Sequence, residues 1–203
     1  KLLKIYPEFE SKTFVAPSGI DENIINNPSQ SFNPSTIKIL TCAHLKKRKN
    51  VDKLILACKN FENVELTVIG DGKIKKYLEK LDNKVIFKGY MNLEQVYEEM
   101  SKNDIFILPS VKETFGLVYL EAMAKGCITV CTKGDGIDGI IKNGENGFLT
   151  EPTVDGIKNI ILTIKNIPLD DLQRIRQNAF ETVKQYTFAK AAENYLQQIF
   201  KIL

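Results

Sequence analysis

From residue 37 to residue 131, short apolar runs alternate with stretches whose apolar residues recur at helical spacing. Ile37–Cys42 reads as a strand, and Val51–Asn60, apolar at 51, 54, 55 and 58, as a helix. Val64–Ile69 is a second strand, closed by Gly70-Asp71-Gly72, and Ile74–Leu81 a second helix. Val85–Phe87 is a short strand ending at Gly89, followed by a helix over Leu93–Met100. Asp104–Leu108 is a strand stopped by Pro109-Ser110, Gly116–Lys125 a helix ended by Gly126, and Cys127–Cys131 a further strand. After Glu151 the pattern is nearly unbroken helix: Val154–Ile167, Pro168–Thr187 and Phe188–Leu203. The first 35 residues lack periodicity and carry Pro7, Pro17 and Pro28, although Thr13–Ala16 resembles an edge strand.

Strands alternating with helices at this pitch pair in parallel through crossover connections, with helices on both faces. Strands that are apolar throughout fit burial on both faces. The expected fold class is α/β, a Rossmann-like three-layer sandwich with a mostly parallel sheet and a helical C-terminal tail. Three divisions follow: 1–35 as an entry or linker segment with a possible edge strand, 36–187 as a binding domain, and 188–203 as a terminal helix. In such sheets ligands bind beyond the carboxyl ends of the strands, so the loops that follow strands are the ones to inspect.

Composition narrows the function classes. With 28 basic and 25 acidic residues the net charge is +3, and the lysines are scattered, which gives no footprint for nucleic acid. Lys46-Lys47-Arg48-Lys49 is the dense basic run, and it follows a strand end. No stretch approaches the roughly 20 apolar residues that span a bilayer. Lys4 and Pro7 break the opening apolar run, so a signal peptide is not expected and the protein reads as cytoplasmic. Cys42, Cys58, Cys127 and Cys131 sit in apolar surroundings and read as small core residues. On a strand, Cys127 and Cys131 stand about 13 Å apart, too far to share a zinc ion.

The most informative stretch is Pro109–Ala122, which leaves a strand, turns, and opens a helix at Gly116. Glu113 lies in the turn. Glu121 shares a helix face with Leu117, Val118 and Ala124, so it points toward apolar packing, where a carboxylate needs hydrogen-bond donors. Ligand hydroxyls are one supply. The open amides at Phe115-Gly116 form a helix N-terminus suited to phosphate. On spacing alone an alternative stands: Glu113 caps the helix and Glu121 pairs with Lys125.

Glu113 and Glu121, eight apart with Phe-Gly between, resemble the E-x7-E motif of glycosyltransferase family 4, whose enzymes have the GT-B fold. Val15–Asp21 is similar to the family's entry segment, Ile39–Lys49 to its next strand and phosphate loop, Val68–Gly72 and Val85–Tyr90 to later strand ends. Gly144–Leu149 is similar to the N-G-F-L that closes the nucleotide-binding domain. The resemblance implies that Glu121 accepts from the ribose hydroxyls and that Glu113 contacts the donor sugar. It puts Phe115, Gly116 and Leu117 near sugar and phosphate, Lys49 on the departing diphosphate, and Gly89 and Tyr90 beside the base. His44 stands where the family has an arginine, and Ala43 where it has a glycine. Arg48 is the residue placed to compensate.

Gly134–Gly139 also spells G-x-G-x-x-G, with Glu151 beyond it. A dinucleotide fingerprint opens a full helix and places its acid about 20 residues on. Here Asn143-Gly144 intervenes and Glu151 arrives early, so the glycines read as letting backbone approach the donor. No D-x-D pair occurs in the sequence, which leaves Lys49, Arg48, His44 and the helix end to meet the leaving-group charge.

The expectation is the donor-binding half of a retaining, metal-independent glycosyltransferase that takes a UDP- or GDP-type nucleoside-diphosphate sugar. The resemblance implies no further cofactor and no metal site. An acceptor sugar or lipid-linked glycan would be held by an N-terminal domain outside this chain, toward which Phe188–Leu203 would cross. Two rival classes are a non-catalytic nucleotide-sugar-binding module and another GT-B enzyme such as a nucleotide-sugar epimerase.

Overall fold

The computed structural model describes residues 5–25, 32–33 and 35–202. Six strands form one parallel sheet: β1 Ile37–Cys42, β2 Val64–Ile69, β3 Ile86–Gly89, β4 Ile105–Leu108, β5 Ile128–Thr132 and β6 Phe148–Thr150. Their spatial order is β3-β2-β1-β4-β5-β6. The chain thus builds outward from β1 to one edge, returns to β4 beside β1, and builds outward to the other. Loops leaving β1 and β4 part in opposite directions, which opens a crevice at the switch point.

The described helices are α1 Val51–Cys58, α2 Lys75–Leu78, α3 Leu93–Met100, α4 Leu117–Ala124, α5 Val154–Lys165, α6 Leu169–Val183 and α7 Phe188–Ile202. Both faces of the sheet are covered. On β4, Ile105 and Ile107 enter a core shared with Leu54 and Ile55 of α1 and Ile161 of α5. Phe106 and Leu108 point the other way, against Leu120 and Met123 of α4 and Ala179 of α6. Every residue of β4 is buried, which is why the strand reads as a continuous apolar run instead of an alternation.

Four expectations change. Thr13–Ala16 forms no strand; the entry segment meets the body through a bridge between Ile20 and Thr187 and through Ile20 and Ile24, which enter the core. Its own geometry explains this, because Pro7–Lys12 is a 3-10 turn and Pro17 follows at once. The helix expected over Ile74–Leu81 contracts to Lys75–Leu78. It has no side-chain cap and no acidic residue in its first turn, and the chain continues to Leu81 with tighter i→i+3 bonds. β3 runs Ile86–Gly89, displaced from Val85–Phe87 by a register shift of β2 at Val68/Ile69. β6 adds a strand that the sequence pattern does not predict, since its three residues after an Asn-Gly turn are too few to carry a periodic signal.

The four cysteines are free. Burial pushes the Cys58, Cys127 and Cys131 thiols up to about 12, and Cys127 donates to the Met100 carbonyl (3.1 Å). Along α7, Phe188, Tyr195, Leu196 and Phe200 remain exposed, with Tyr195 packed against Phe14 (ring centroids 5.5 Å apart).

Candidate functional site

Two loops meet at the switch point. The first leaves β1 through Ala43 and His44, is pinned by the buried Leu45, and tightens into a 3-10 turn over Lys47–Lys49. Asn50, at φ +50°, ends that turn and donates through its side-chain amide to the Pro109 carbonyl (2.8 Å). The second loop leaves β4 at Pro109-Ser110, and its Val111 amide donates to the Arg48 carbonyl (2.9 Å). These two bonds lay the basic run of one loop against the acidic turn of the other.

Lys49 Nζ donates to Glu113 Oε2 at 2.5 Å, across 64 residues of sequence. Ser110 Oγ donates to the same oxygen (3.0 Å), and Arg48 Nη1 stands 3.5 Å from it. Burial pushes the Glu113 carboxyl up, but Lys49, with Ser110 and Arg48, outweighs it and holds the group below its ordinary value. Glu113 is therefore ionised at neutral pH, and the Lys49 ammonium is neutralised by it.

The main chain of Glu113 is fixed as firmly. Its amide donates to Asp135 Oδ1 (2.8 Å), which also accepts from Gly136 (2.9 Å). A side chain at Gly136 would stand 2.7 Å from the Glu113 carbonyl oxygen. That glycine makes room for Glu113. Tyr119 braces the turn from below, its hydroxyl donating to the Leu108 carbonyl (2.7 Å) and lying 3.0 Å from Ser110 Oγ.

Gly116, at φ +87°, turns the chain into α4 without any side-chain cap. A side chain there would strike the Tyr119 ring. The first amides of α4, at Leu117 and Val118, have no intrahelical acceptors, as at any helix start. Neither contact of the alternative reading forms: Glu113 bonds Lys49 instead of capping the helix, and Lys125 lies over the Tyr97 ring (5.3 Å) instead of pairing with Glu121.

Glu121 faces a different neighbourhood. Burial pushes its carboxyl up, opposed by a hydrogen bond from the Tyr97 hydroxyl to Oε1 (3.3 Å). Beyond the ends of β1, β2 and β3 lies a cavity of about 290 Å³, walled by Cys42, Ala43, Ile69, Met91 and Val96 with His44, Asp71 and Tyr90 in its lining. Burial and the Glu121 charge push the Cys42 thiol up to about 11. Tyr90 is 82% exposed. Gly89 sits behind the rim, its carbonyl accepting from the Gly70 amide (2.7 Å). Larger cavities include one of about 590 Å³, lined by Lys47, Asn50, Asp52, Ile74 and Tyr77, and one of about 470 Å³ beside the end of α6. In the latter, Asn146 pairs with Thr182 (2.9 Å) and Asn178 with the Glu145 carbonyl (2.9 Å). Charge converges at the switch point, and that decides the choice of site.

The model of the family described as glycosyl transferases group 1 matches residues 23–182. The chain belongs to that family. It is 27% identical, over 98% of its length, to a probable sucrose-phosphate synthase of Thermosipho melanesiensis, of which it covers 50%. It is 34% identical, over 56% of its length, to an uncharacterized glycosyltransferase of Methanocaldococcus jannaschii, of which it covers 32%. The chain thus spans half or less of the length of these relatives. Among solved structures, the C-terminal domain of a group 1 glycosyl transferase from Francisella tularensis superposes with a TM-score of 0.70 at 26% identity, over 82% of this chain and 97% of that one. An Anabaena protein crystallised with UDP and glucose superposes with a TM-score of 0.77 at 23% identity, over 90% of this chain and 55% of that one.

Within this group 1 glycosyl transferase chain the residues singled out from sequence fall into two sets. Lys49, Arg48, Glu113, Gly116 and Leu117 gather at the crevice, with Arg48 also donating to the Lys112 carbonyl (3.3 Å). His44 and Tyr90 line the neighbouring cavity, and Gly89 and Glu121 stand close behind it. The Phe115 ring packs on Tyr186 (6.4 Å), so only its main chain, next to Gly116, is at the crevice. Sequence reasoning misses Ser110, Tyr119, Asp135 and Tyr97. Only Ser110 carries a signal, being the polar residue directly after a strand end.

Proposed function

We propose that this chain is the donor-binding half of a retaining, metal-independent glycosyltransferase that takes a UDP- or GDP-type nucleoside-diphosphate sugar. The observation that carries the reading is the Lys49–Glu113 pair at the switch point, beside a mostly apolar cavity flanked by a second carboxylate. A base fits that cavity, with the ribose toward Glu121 and the diphosphate toward Lys49, Arg48 and the first amides of α4. The donor sugar then falls at Glu113. As the bond from the anomeric carbon to the diphosphate breaks, its electron pair leaves with the diphosphate. Lys49 and Arg48 take up that charge in a partly dry site. The Anabaena protein, crystallised with UDP and glucose, supports this choice of donor class. An acceptor sugar or lipid-linked glycan is held outside these residues. Among the described residues no helix is long and apolar enough to cross a membrane. Four free thiols suit a reducing compartment, and we assign the reaction to the cytoplasm.

Glu121→Ala tests the ribose assignment. A hydrogen bond to a charged group contributes about 1.5–3 kcal/mol, so affinity for the free nucleoside diphosphate falls roughly ten- to hundred-fold. Unchanged affinity by calorimetry returns Glu121 to a structural role.

The Lys49–Glu113 bond alters what is expected of Glu113. From sequence, Glu113 concerns the sugar and leaves nucleoside diphosphate binding alone. In the structure it neutralises the lysine that must meet the diphosphate. Glu113→Gln removes that competing charge, so nucleoside diphosphate binds about fivefold more tightly, near 1 kcal/mol. The nucleotide-sugar gains less or loses, having lost its carboxylate partner. Equal losses on both ligands in parallel titrations would mean that Glu113 only organises the loop.

A further inference from the structure

We propose that Tyr97 is a positioning residue: its hydroxyl holds the Glu121 carboxylate in the orientation that receives a vicinal diol, and so makes this site select ribonucleotides over 2′-deoxyribonucleotides. The inference rests on the donor-binding reading of the site and extends it to a residue that touches no donor.

Glu121 lies on α4, between α3 and the end of β1. Its side chain has three rotatable bonds, and burying it in one rotamer carries an entropic cost. Among the described residues one side chain bonds it, the Tyr97 hydroxyl on Oε1 at 3.3 Å. A carboxylate with one oxygen tethered and the other open has one geometry to offer a ligand. A ribose presents two adjacent hydroxyl donors that match the two oxygens of a carboxylate. A 2′-deoxyribose presents one.

Tyr97 is itself held in place. A capping box starts α3, with Asn92 Oδ1 accepting from the Gln95 amide (2.9 Å) and Gln95 Oε1 from the Asn92 amide (3.0 Å). Val96, next to Tyr97, lines the cavity, so the helix that carries the hydroxyl also forms the wall of the pocket. Lys125 lies over the outer face of the ring, 5.3 Å from its centroid. Cys42 also stands near enough for the Glu121 charge to push its thiol up, but it makes no hydrogen bond to the carboxylate, which leaves Tyr97 as the donor. At 3.3 Å the Tyr97–Glu121 bond is longer than the usual span for a hydroxyl on a carboxylate.

Calorimetric titration of UDP, GDP and their 2′-deoxy counterparts into the wild type, Tyr97→Phe, Glu121→Ala and the double variant tests the inference. Phenylalanine keeps the ring beneath Lys125, and thermal melting reports whether the fold is retained. The wild type is expected to prefer the ribonucleotide by roughly tenfold, as for one hydrogen bond to a charged group. Tyr97→Phe weakens ribonucleotide binding by roughly three- to tenfold and leaves the 2′-deoxy ligand nearly unchanged. In the Glu121→Ala background, adding Tyr97→Phe changes neither ligand. Equal loss on both ligands, or no loss on either, overturns the inference while leaving a Glu121→Ala effect intact. If neither UDP nor GDP binds the wild type, the donor-binding reading falls and takes this inference with it.

Discussion

Gly70→Ala is expected to lower the melting temperature by roughly 8–16 °C and to collapse the nucleotide cavity with it. Gly70 ends β2 at φ +125°, a conformation that other residues occupy only under strain of about 1–3 kcal/mol. Its missing side chain also matters, because a Cβ there would overlap the Ala43 carbonyl oxygen. That atom is backbone at the mouth of the β1 loop and cannot rotate away. Overpacking of this kind adds about 1–3 kcal/mol, so the sum is near 4 kcal/mol. The Gly70 amide further ties β2 to the Gly89 carbonyl (2.7 Å). Relieving the clash therefore moves Ala43, His44 and Gly89 together, all at or beside the cavity, and nucleotide affinity should fall with stability. Gly144→Ala is the control. Gly144 has φ +78°, and a Cβ added there would meet nothing within 4 Å, so it carries only the conformational cost of about 1–2 kcal/mol. Equal shifts of the two variants in differential scanning calorimetry would refute the steric part of the argument.

How far the sequence carries the fold follows from where its information lies. β1, β2, β4 and β5 are legible because strands buried mostly on both faces are mostly apolar, with Lys38 and Glu65 as exposed exceptions, and the helices between them mark the crossovers. Strand order is not contained in any period. Nothing local states that β4 returns beside β1, yet that return creates the crevice. Lys49 and Glu113 each stand out by their loops, but their direct bond across 64 residues is a product of that return. Asp135 is hidden differently: it lies in a glycine-rich run, and its work is to hold the Glu113 amide, which no spacing rule describes. Tyr97 reads as an ordinary helix residue, because its partner Glu121 is on another helix. Thr13–Ala16 misleads for the opposite reason, having strand composition but lying between the 3-10 turn of Pro7–Lys12 and Pro17 and pairing with no strand.

The 203 residues expressed alone are expected to bind donor and to transfer no sugar. Every group that meets the donor in the proposed reading comes from loops at one end of one sheet. They form a single wall. The chain covers only 50% of the sucrose-phosphate synthase relative that it matches along its length, so the second wall is the expected contribution of the remainder. Holding an acceptor in line with the anomeric carbon supplies about 7–11 kcal/mol of a barrier, or roughly five to eight powers of ten in rate. Closing the cleft also removes water that would compete for the sugar. With one wall, the diphosphate is half enclosed and the sugar faces solvent. Donor should bind weakly, at around 0.1–1 mM, equivalent to about −4 to −5.5 kcal/mol. The exposed apolar side chains of α7, Phe188, Leu196 and Phe200 among them, lie uncovered in this state. The assay is donor consumption with and without a mixture of acceptors extracted from the source cells, run at donor concentrations above the measured dissociation constant. Slow hydrolysis, equal in both arms, is the expected result. Turnover that rises with acceptor would show that one wall suffices, and the division of labour between two halves would be wrong.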